Sequence, residues 1–374
     1  MSISHFSIPR PSHRLDCLSG YGRGRAGQTV PFRHRLGSNE APDAPSPSIQ
    51  AAVAAAFAGT NRYPDLRGET LAEALALRHG LSPDAVAVGA GSIVILDQLI
   101  RAWCDPGDEV VTPWRSYEAY PILAGLAGAR MVEVPLDSAA RLDPARLLAA
   151  VGPRCRVVLI CNPNNPTGTA LSEDVVEDLL AALPRDVLVI LDEAYADYAG
   201  DADEVAAAPA RRLARYANLA VLRTFSKAWG LAGMRVGYCL ADPRIIAAVQ
   251  AVQPPFPLPA PALAAALASL AEPATVAARV TLNAAERARL SGGIRGAGLP
   301  VADSAANFIW LPVGDAAEAL TAHLAAAGIA VRCFAGEGVR ITAGTPTDTD
   351  AVLGAVAGWN ARNLCAVPGQ NEGA

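Results

Sequence analysis

The stretch Val187-Leu188-Val189-Ile190-Leu191-Asp192-Glu193-Ala194-Tyr195 decides the architecture. Its five aliphatic residues run without polar alternation, the pattern of a strand buried on both faces, as in a parallel sheet covered by helices. A carboxylate directly after such a strand stands at the rim of the core. Two other runs share this form. Val157-Val158-Leu159-Ile160 leads into Cys161-Asn162-Pro163-Asn164-Asn165-Pro166-Thr167-Gly168, where two prolines set the turn and hold an asparagine in place. Ala220-Val221-Leu222-Arg223-Thr224 ends in Phe225-Ser226-Lys227. In open α/β sheets ligands sit beyond the carboxyl ends of the strands, so an amide, a carboxylate, a phenol and an amine are expected to face one crevice.

Outward from these runs, residues 84 to 240 alternate short β-branched segments with helical ones, which predicts a doubly wound α/β domain with a mostly parallel sheet. Strands are expected at Ala85–Val88, Glu109–Thr112, Met131–Pro135, Arg156–Cys161, Val187–Leu191 and Leu219–Thr224. A helix is expected over Ser172–Leu183, with Ser172 as N-cap and Glu173 and Asp174 at its positive end. Past a proline-rich junction, helices near Ala262–Leu270 and Ala274–Leu290 precede strands at Asn307–Leu311, Ala330–Cys333 and Val339–Thr342, a smaller α+β domain. The division expected is an N-terminal arm at 1–45, a large domain at 46–255, a small domain at 256–362 and a tail at 363–374.

The 374 residues are 52% hydrophobic and 18% charged, enough for a sizeable core and incompatible with a disordered scaffold. Net charge is −5 with no long run of like sign, which excludes a nucleic-acid footprint or a polybasic membrane patch. An anionic ligand must then be held by local groups. The uncharged stretch Ile245 to Ala271 is long enough to cross a bilayer, but Gln250, Gln253 and the prolines at 254, 255, 257, 259 and 261 make it a soluble domain junction. The first residues contain no apolar signal core, so a cytoplasmic location is expected. Seven cysteines without C-x-x-C spacing suggest neither a disulfide frame nor a zinc site, and no metal is expected.

The chain has one lysine, Lys227, against thirty arginines. A composition that uses guanidinium wherever a positive charge suffices keeps its one amine where guanidinium fails. An amine can lose its proton near neutral pH and attack a carbonyl to form a Schiff base. The position after an apolar strand, in Thr224-Phe225-Ser226-Lys227-Ala228-Trp229-Gly230, points to that chemistry.

The order N-P-N-N-P-T-G, D-E-A-Y, then T-F-S-K-A-x-G-L-A-G-x-R resembles the pyridoxal-phosphate aminotransferases of fold type I, class II, in particular the histidinol-phosphate aminotransferase family. The likeness runs from about Leu36 to Thr342. It implies pyridoxal 5'-phosphate as cofactor, bound through Lys227, with Asp192 at the pyridinium nitrogen, Asn165 and Tyr195 at the phenolic oxygen, and Tyr117 stacked on the ring. The phosphate would be held by the turn at Ala90, Gly91 and Ser92, where amides open a helix, together with Ser226 and Arg235. Tyr63, in Arg62-Tyr63-Pro64-Asp65, matches the tyrosine that reaches the phosphate of the neighbouring subunit, which implies a homodimer with composite active sites. Arg340 matches the arginine that clamps the substrate's anionic end. Asn39 and Tyr21 match the segment over the substrate.

Two departures stand out: Ile93 and Val94 follow the G-x-G-S turn where relatives commonly carry acidic or amide residues, and Pro257 follows Pro255-Phe256 where many have asparagine. The run W-R-S-Y-E-A-Y-P at 114–121 resembles the aromatic (phenylalanine) aminotransferase branch, with glutamate and 2-oxoglutarate as the expected amino couple. Trp114, Trp229 and Phe256 are expected around an apolar pocket. A histidinol-phosphate substrate is the alternative, with Arg332 or Arg115 receiving its phosphate. A threonine-phosphate type decarboxylase would share the same core motifs, and a non-catalytic α/β binding module with a structural Lys227 is the third reading.

Overall fold

The computed structural model describes residues 32–359. In chain order the strands are β1 (His34–Arg35), β2 (Val86–Gly89), β3 (Glu109–Trp114), β4 (Arg130–Pro135), β5 (Cys155–Cys161), β6 (Leu188–Asp192), β7 (Leu219–Thr224), β8 (Gly237–Ala241), β9 (Phe308–Leu311), β10 (Ile329–Ala330), β11 (Arg332–Phe334) and β12 (Gly338–Thr342). The helices are α1 (Pro47–Ala56), α2 (Glu69–His79), α3 (Ser92–Trp103), α4 (Tyr120–Ala127), α5 (Pro144–Ala149), α6 (Glu173–Ala182), α7 (Ala202–Leu213), α8 (Pro243–Val252), α9 (Ala260–Leu270), α10 (Pro273–Gly296), α11 (Ala317–Ala326) and α12 (Pro346–Ala357).

Alternate side chains of a strand point to opposite faces of its sheet. Val158, Ile160, Val189, Leu191 and Val221 accordingly pack in one apolar cluster, while Val157, Leu159, Leu188, Ile190 and Leu222 pack in another. Both faces therefore need helices, and α2, α6 and α9 cover the first while α3, α4 and α8 cover the second. The sheet has seven strands in the order β2-β8-β7-β6-β5-β3-β4. Only β8 is antiparallel to its neighbours. This is the doubly wound, mostly parallel α/β architecture that the sequence predicts, and the six expected strands fall within two residues of their places. Strand β8 is not among the expected strands: it opens on a glycine and reverses direction after a single 3₁₀ turn at Ala232–Met234, with no crossover α-helix before it. Ser172 holds the N-cap position of α6 in extended conformation, but its side chain makes no capping hydrogen bond.

Register levels the strand ends that matter. Cys161 lies opposite Asp192, and Asp192 opposite Leu222, so the turns after β5, β6 and β7 open onto the same edge.

The uncharged stretch 245–271 folds as α8 and α9 on opposite faces of the large sheet, joined by the proline-rich turn. Leu258, Ala262, Leu263, Ala265 and Ala266, just past the expected 255/256 division, pack into the large-sheet core. Helix α10 then spans both regions, with Val276 in that core and Leu290 and Ile294 in the next. Among the described residues no single helix is long and apolar enough to cross a membrane; α9 and α10 pass such a test only together, and they bend by 80°.

The smaller region is an antiparallel sheet, β11-β12-β9, backed by α10, α11 and α12. The single strand expected at Ala330–Cys333 is instead two. Ile329–Ala330 pairs in parallel with β1, and Arg332–Phe334 pairs with β12, so the chain changes partners at Val331. A capping box between Thr345 and Asp348 opens α12.

Candidate active site

A cavity of about 220 Å³ lies beyond the carboxyl ends of β5, β6 and β7. Each expected motif supplies part of its wall: Asn165 after β5, Asp192 and Tyr195 after β6, Ser226 and Lys227 after β7. Ser92, Tyr117, Arg235, Asn39, Arg332 and Arg340 complete it.

The amine is held by a main-chain carbonyl, Lys227 Nζ donating to Ser38 O at 3.0 Å. Burial pushes its pKa down to about 7, helped by the guanidiniums of Arg340 and Arg235 and opposed by Glu40 and Asp192. Near neutral pH a substantial share of the side chain therefore carries the lone pair that nucleophilic attack and proton transfer need.

Asp192 is buried at the foot of the cavity. Its Oδ2 accepts from Tyr120 Oη at 2.8 Å and its Oδ1 from the Ala194 N–H at 3.2 Å. Burial raises its pKa, and these two donors work against that rise. Tyr195 Oη accepts from Asn39 Nδ2 at 3.0 Å and Asn165 Nδ2 at 3.3 Å, while its ring stands edge-on to Phe308 with centroids 5.2 Å apart. Burial raises the phenol's pKa, so it remains a donor.

An anion cradle lies at the start of α3. Gly91 is the N-cap, no side chain caps the helix, and the first-turn amides open towards the cavity. A Cβ on Gly91 would sit 2.6 Å from Arg235 Nη2, and its φ of +82° is one that side-chain-bearing residues avoid. A Cβ on Gly237 would meet Ser92 N at 2.1 Å, so β8 brings the helix terminus in close only because that position is glycine. Arg235 adopts a left-handed backbone, φ 55°, and places Nη1 3.2 Å from Ser226 Oγ. Strain of this kind concentrates at binding sites. Helix amides, two hydroxyls and a guanidinium suit a phosphate, and the buried Asp192 carboxylate suits a protonated ring nitrogen. Ile93, not a polar side chain, lines the adjoining wall.

On the opposite wall Arg340 donates to Asn165 Oδ1 and, through Nη2, to Gly37 O at 2.7 Å. Arg332 is bound to Glu118, Nη2 to Oε2 at 2.7 Å. Arg115 donates Nε to Glu337 Oε2 at 2.8 Å.

Some expected residues lie elsewhere. Tyr63 is 80% exposed and stacks on Phe256, centroids 4.3 Å apart, away from this cavity. Ala90 and Gly91 are adjacent to it through Ser92 without lining it. Tyr21 lies outside the described residues. The aromatic lining expected from Trp114, Trp229 and Phe256 is corrected. Trp229 is packed against Phe225 in the core, Trp114 carries the Arg115 guanidinium at 4.6 Å, and Phe256 faces Tyr63. Trp229 went to the core, while Trp114 and Phe256 stay partly exposed against other side chains, leaving Ile93, Leu96 and Tyr117 as the cavity's apolar side. Tyr120 carries no local signal for its role: it stands in the same run as Tyr117, and only the tertiary fold brings its hydroxyl onto Asp192.

The family model for aminotransferase class I and II matches residues 34–356, and the chain belongs to that family. It is similar to an aromatic amino acid aminotransferase of Rhodococcus jostii, 43% identical over 360 residues, covering 96% of this chain and 98% of the relative. An aromatic amino acid aminotransferase of Corynebacterium jeikeium is 46% identical over 88% of this chain and 89% of its own. Among solved structures, histidinol-phosphate aminotransferase from Sinorhizobium meliloti in complex with pyridoxal-5'-phosphate superposes with a TM-score of 0.85 at 31% identity, covering 98% of this chain and all of that one. The chain is a transferase enzyme of fold type I.

Proposed function

We propose that the enzyme uses pyridoxal 5'-phosphate to exchange an amino group between glutamate and an aromatic 2-oxo acid of the phenylpyruvate type. When bound, the cofactor supplies an aldehyde for the amine and a ring that accepts the electron pair released at the substrate's Cα. The chain's own groups do the rest. Lys227 would hold the cofactor through its amine and, once freed by the donor, would be the base that takes the proton from the substrate's Cα, a role suited to an amine whose pKa burial pushes down to about 7 in the cofactor-free chain. Asp192, fixed by Tyr120, would pair with the ring nitrogen. Asn165 and Tyr195 would donate to the phenolic oxygen, Tyr117 would flank the ring, and the α3 terminus with Ser92, Ser226 and Arg235 would hold the phosphate. Arg340 binds the substrate carboxylate in a planar, bidentate geometry that lysine cannot imitate, and Asn39 braces Tyr195 from above.

The observation that carries the substrate reading is that the arginines expected to receive a distal phosphate, Arg332 and Arg115, each already hold a carboxylate. A phosphate dianion there would have to displace one or bind beside it against its repulsion. The names of the relatives at 43% and 46% identity support the same reading. The structural neighbour named for histidinol phosphate supports the alternative. With glutamate as donor, phenylpyruvate should be converted at least about tenfold more efficiently than imidazole-acetol phosphate; the reverse ranking in kcat/KM would overturn the aromatic assignment.

The enzyme is read as a homodimer of the cytoplasm. Tyr63, 80% exposed, stacks on the half-buried Phe256, which suits a subunit contact. The buried free thiols Cys104, Cys155, Cys161 and Cys239 suit a reducing compartment. Sedimentation of the holoenzyme tests the dimer.

A further inference from the structure

We propose that Asn164 is the positioning residue that sets Tyr117 against the cofactor ring; this rests on the reading of Tyr117 given above. The turn after β5 carries two adjacent asparagines, and they part ways. Asn165 lines the cavity, whereas Asn164 is buried behind its wall, beside the equally buried Ser116. Each of these two hidden residues is followed directly by one that faces the cavity, Asn165 in one segment and Tyr117 in the other. The Asn164 carboxamide joins the segments across 48 positions. Its Nδ2 donates to Arg115 O at 3.1 Å and its Oδ1 accepts from Ser116 Oγ at 2.8 Å, so it grips two consecutive residues immediately before Tyr117. Nδ2 donates further to Thr167 Oγ1 at 2.9 Å, within its own turn.

The grip needs a carboxamide. A main-chain carbonyl can only accept, so Nδ2 has to face Arg115 and the Ser116 hydroxyl has to donate to Oδ1. An aspartate at 164 would set a second acceptor against the Arg115 carbonyl, and both are buried away from water that could answer them. The base from which the side chain reaches is itself held: Asn164 N donates to Thr169 O at 2.8 Å and Gly168 N to Asn164 O at 2.7 Å, which closes the turn on itself. On the far side the Tyr117 ring stands edge-on to Tyr120, centroids 5.5 Å apart, and Tyr120 donates to Asp192. Asn164 thus fixes the backbone that leads into Tyr117 while Tyr120 meets its ring. A flanking ring works only at contact distance, so a small shift of this backbone is felt at the cofactor.

The test compares wild type with Asn164→Asp, Tyr117→Leu and the double variant Asn164→Asp/Tyr117→Leu. One readout is the Kd for pyridoxal 5'-phosphate, by absorbance titration of each cofactor-free protein. The other is the visible circular dichroism of the bound cofactor, which an achiral ring acquires only from asymmetric contacts. Asn164→Asp should weaken cofactor binding about tenfold and roughly halve the dichroism. In the Tyr117→Leu background the same change should move Kd by less than about twofold, because the residue through which Asn164 acts is gone. Ser116→Ala, which breaks the grip without adding charge, should shift both readouts in the same direction and serves in place of Asn164→Asp if that variant does not fold. A lowered denaturation midpoint with both readouts unmoved would make Asn164 merely structural and overturn the proposal, as would a tenfold loss that persists without Tyr117. A Tyr117→Leu indistinguishable from wild type would overturn the placement of Tyr117 on the ring, and the proposal with it. A responsive Tyr117→Leu beside an unmoved Asn164→Asp would overturn the role of Asn164 alone.

Discussion

Asp192 and Glu193 are neighbours at the end of β6, both buried, and they serve opposite purposes. Glu193 turns away from the cavity and is clasped by two guanidiniums, accepting from Arg212 Nη1 at 2.6 Å and Arg223 Nε at 2.9 Å. Burial would raise its pKa, but Arg223 and Arg212 overcome it and hold the carboxyl below its usual range. Asp192 points to the cavity and takes hydrogen bonds from a phenol and an amide, and burial leaves its pKa raised. One carboxylate is neutralised within the fold; the other faces the cavity. Alternation along the strand is what sends the two side chains to opposite faces. Arg332 likewise meets a carboxylate within the fold, that of Glu118.

The largest effect expected on the cavity side is at Lys227. Lys227→Arg should fold and lose turnover, and borohydride reduction of the wild-type holoenzyme should fix the cofactor to the chain. Since the chain has one lysine, peptide mapping that finds label anywhere but residue 227, or no label, refutes the assignment.

Next, the two carboxylates should part company. Asp192→Asn should slow the half-reaction with glutamate by the order of a thousandfold with little change in denaturation midpoint, and Asp192→Glu should be milder. Glu193→Gln should do the reverse, costing about 3–5 kcal/mol of stability because the buried Arg223 loses its carboxylate and Arg212 keeps only Glu173, with turnover per folded molecule within about tenfold of wild type. A stable Glu193→Gln, or an Asp192→Asn with normal stopped-flow rates, would break the comparison.

The smallest effect is in pH. In the cofactor-free chain Lys227 has its pKa pushed down to about 7 from an ordinary 10.5, so the folded state binds its proton less tightly than the unfolded state does. Unfolding then takes up a proton between pH 7 and 10.5, and stability from this group rises with pH across that window, the cost being felt in full below it. Lys227→Met should flatten this component of the slope in denaturant titrations.

Much of the site was legible in the chain because its residues follow runs too apolar to be anything but buried strands: Asn165, Asp192 and Lys227 each stand within a few positions of such a run. What was not legible depends on contacts between distant segments. Tyr120 meets Asp192 across 72 positions and Glu118 meets Arg332 across 214, and no local periodicity marks either pair. Trp229 and Phe256 were expected at the pocket because they are apolar, and apolarity does not say which of several apolar places a ring will occupy.

The sequence by itself determined the parallel sheet, the order of the three strand-end motifs and the place of the single amine, since all follow from local hydrophobic runs, turn chemistry and one unusual composition. Tertiary structure alone decided which charges are spent inside the fold and which face the cavity. A carboxylate or guanidinium reads the same in a chain whether or not a partner awaits it, and whether one does is settled only when β6 meets β7 and the small sheet closes over the loop that carries Glu118.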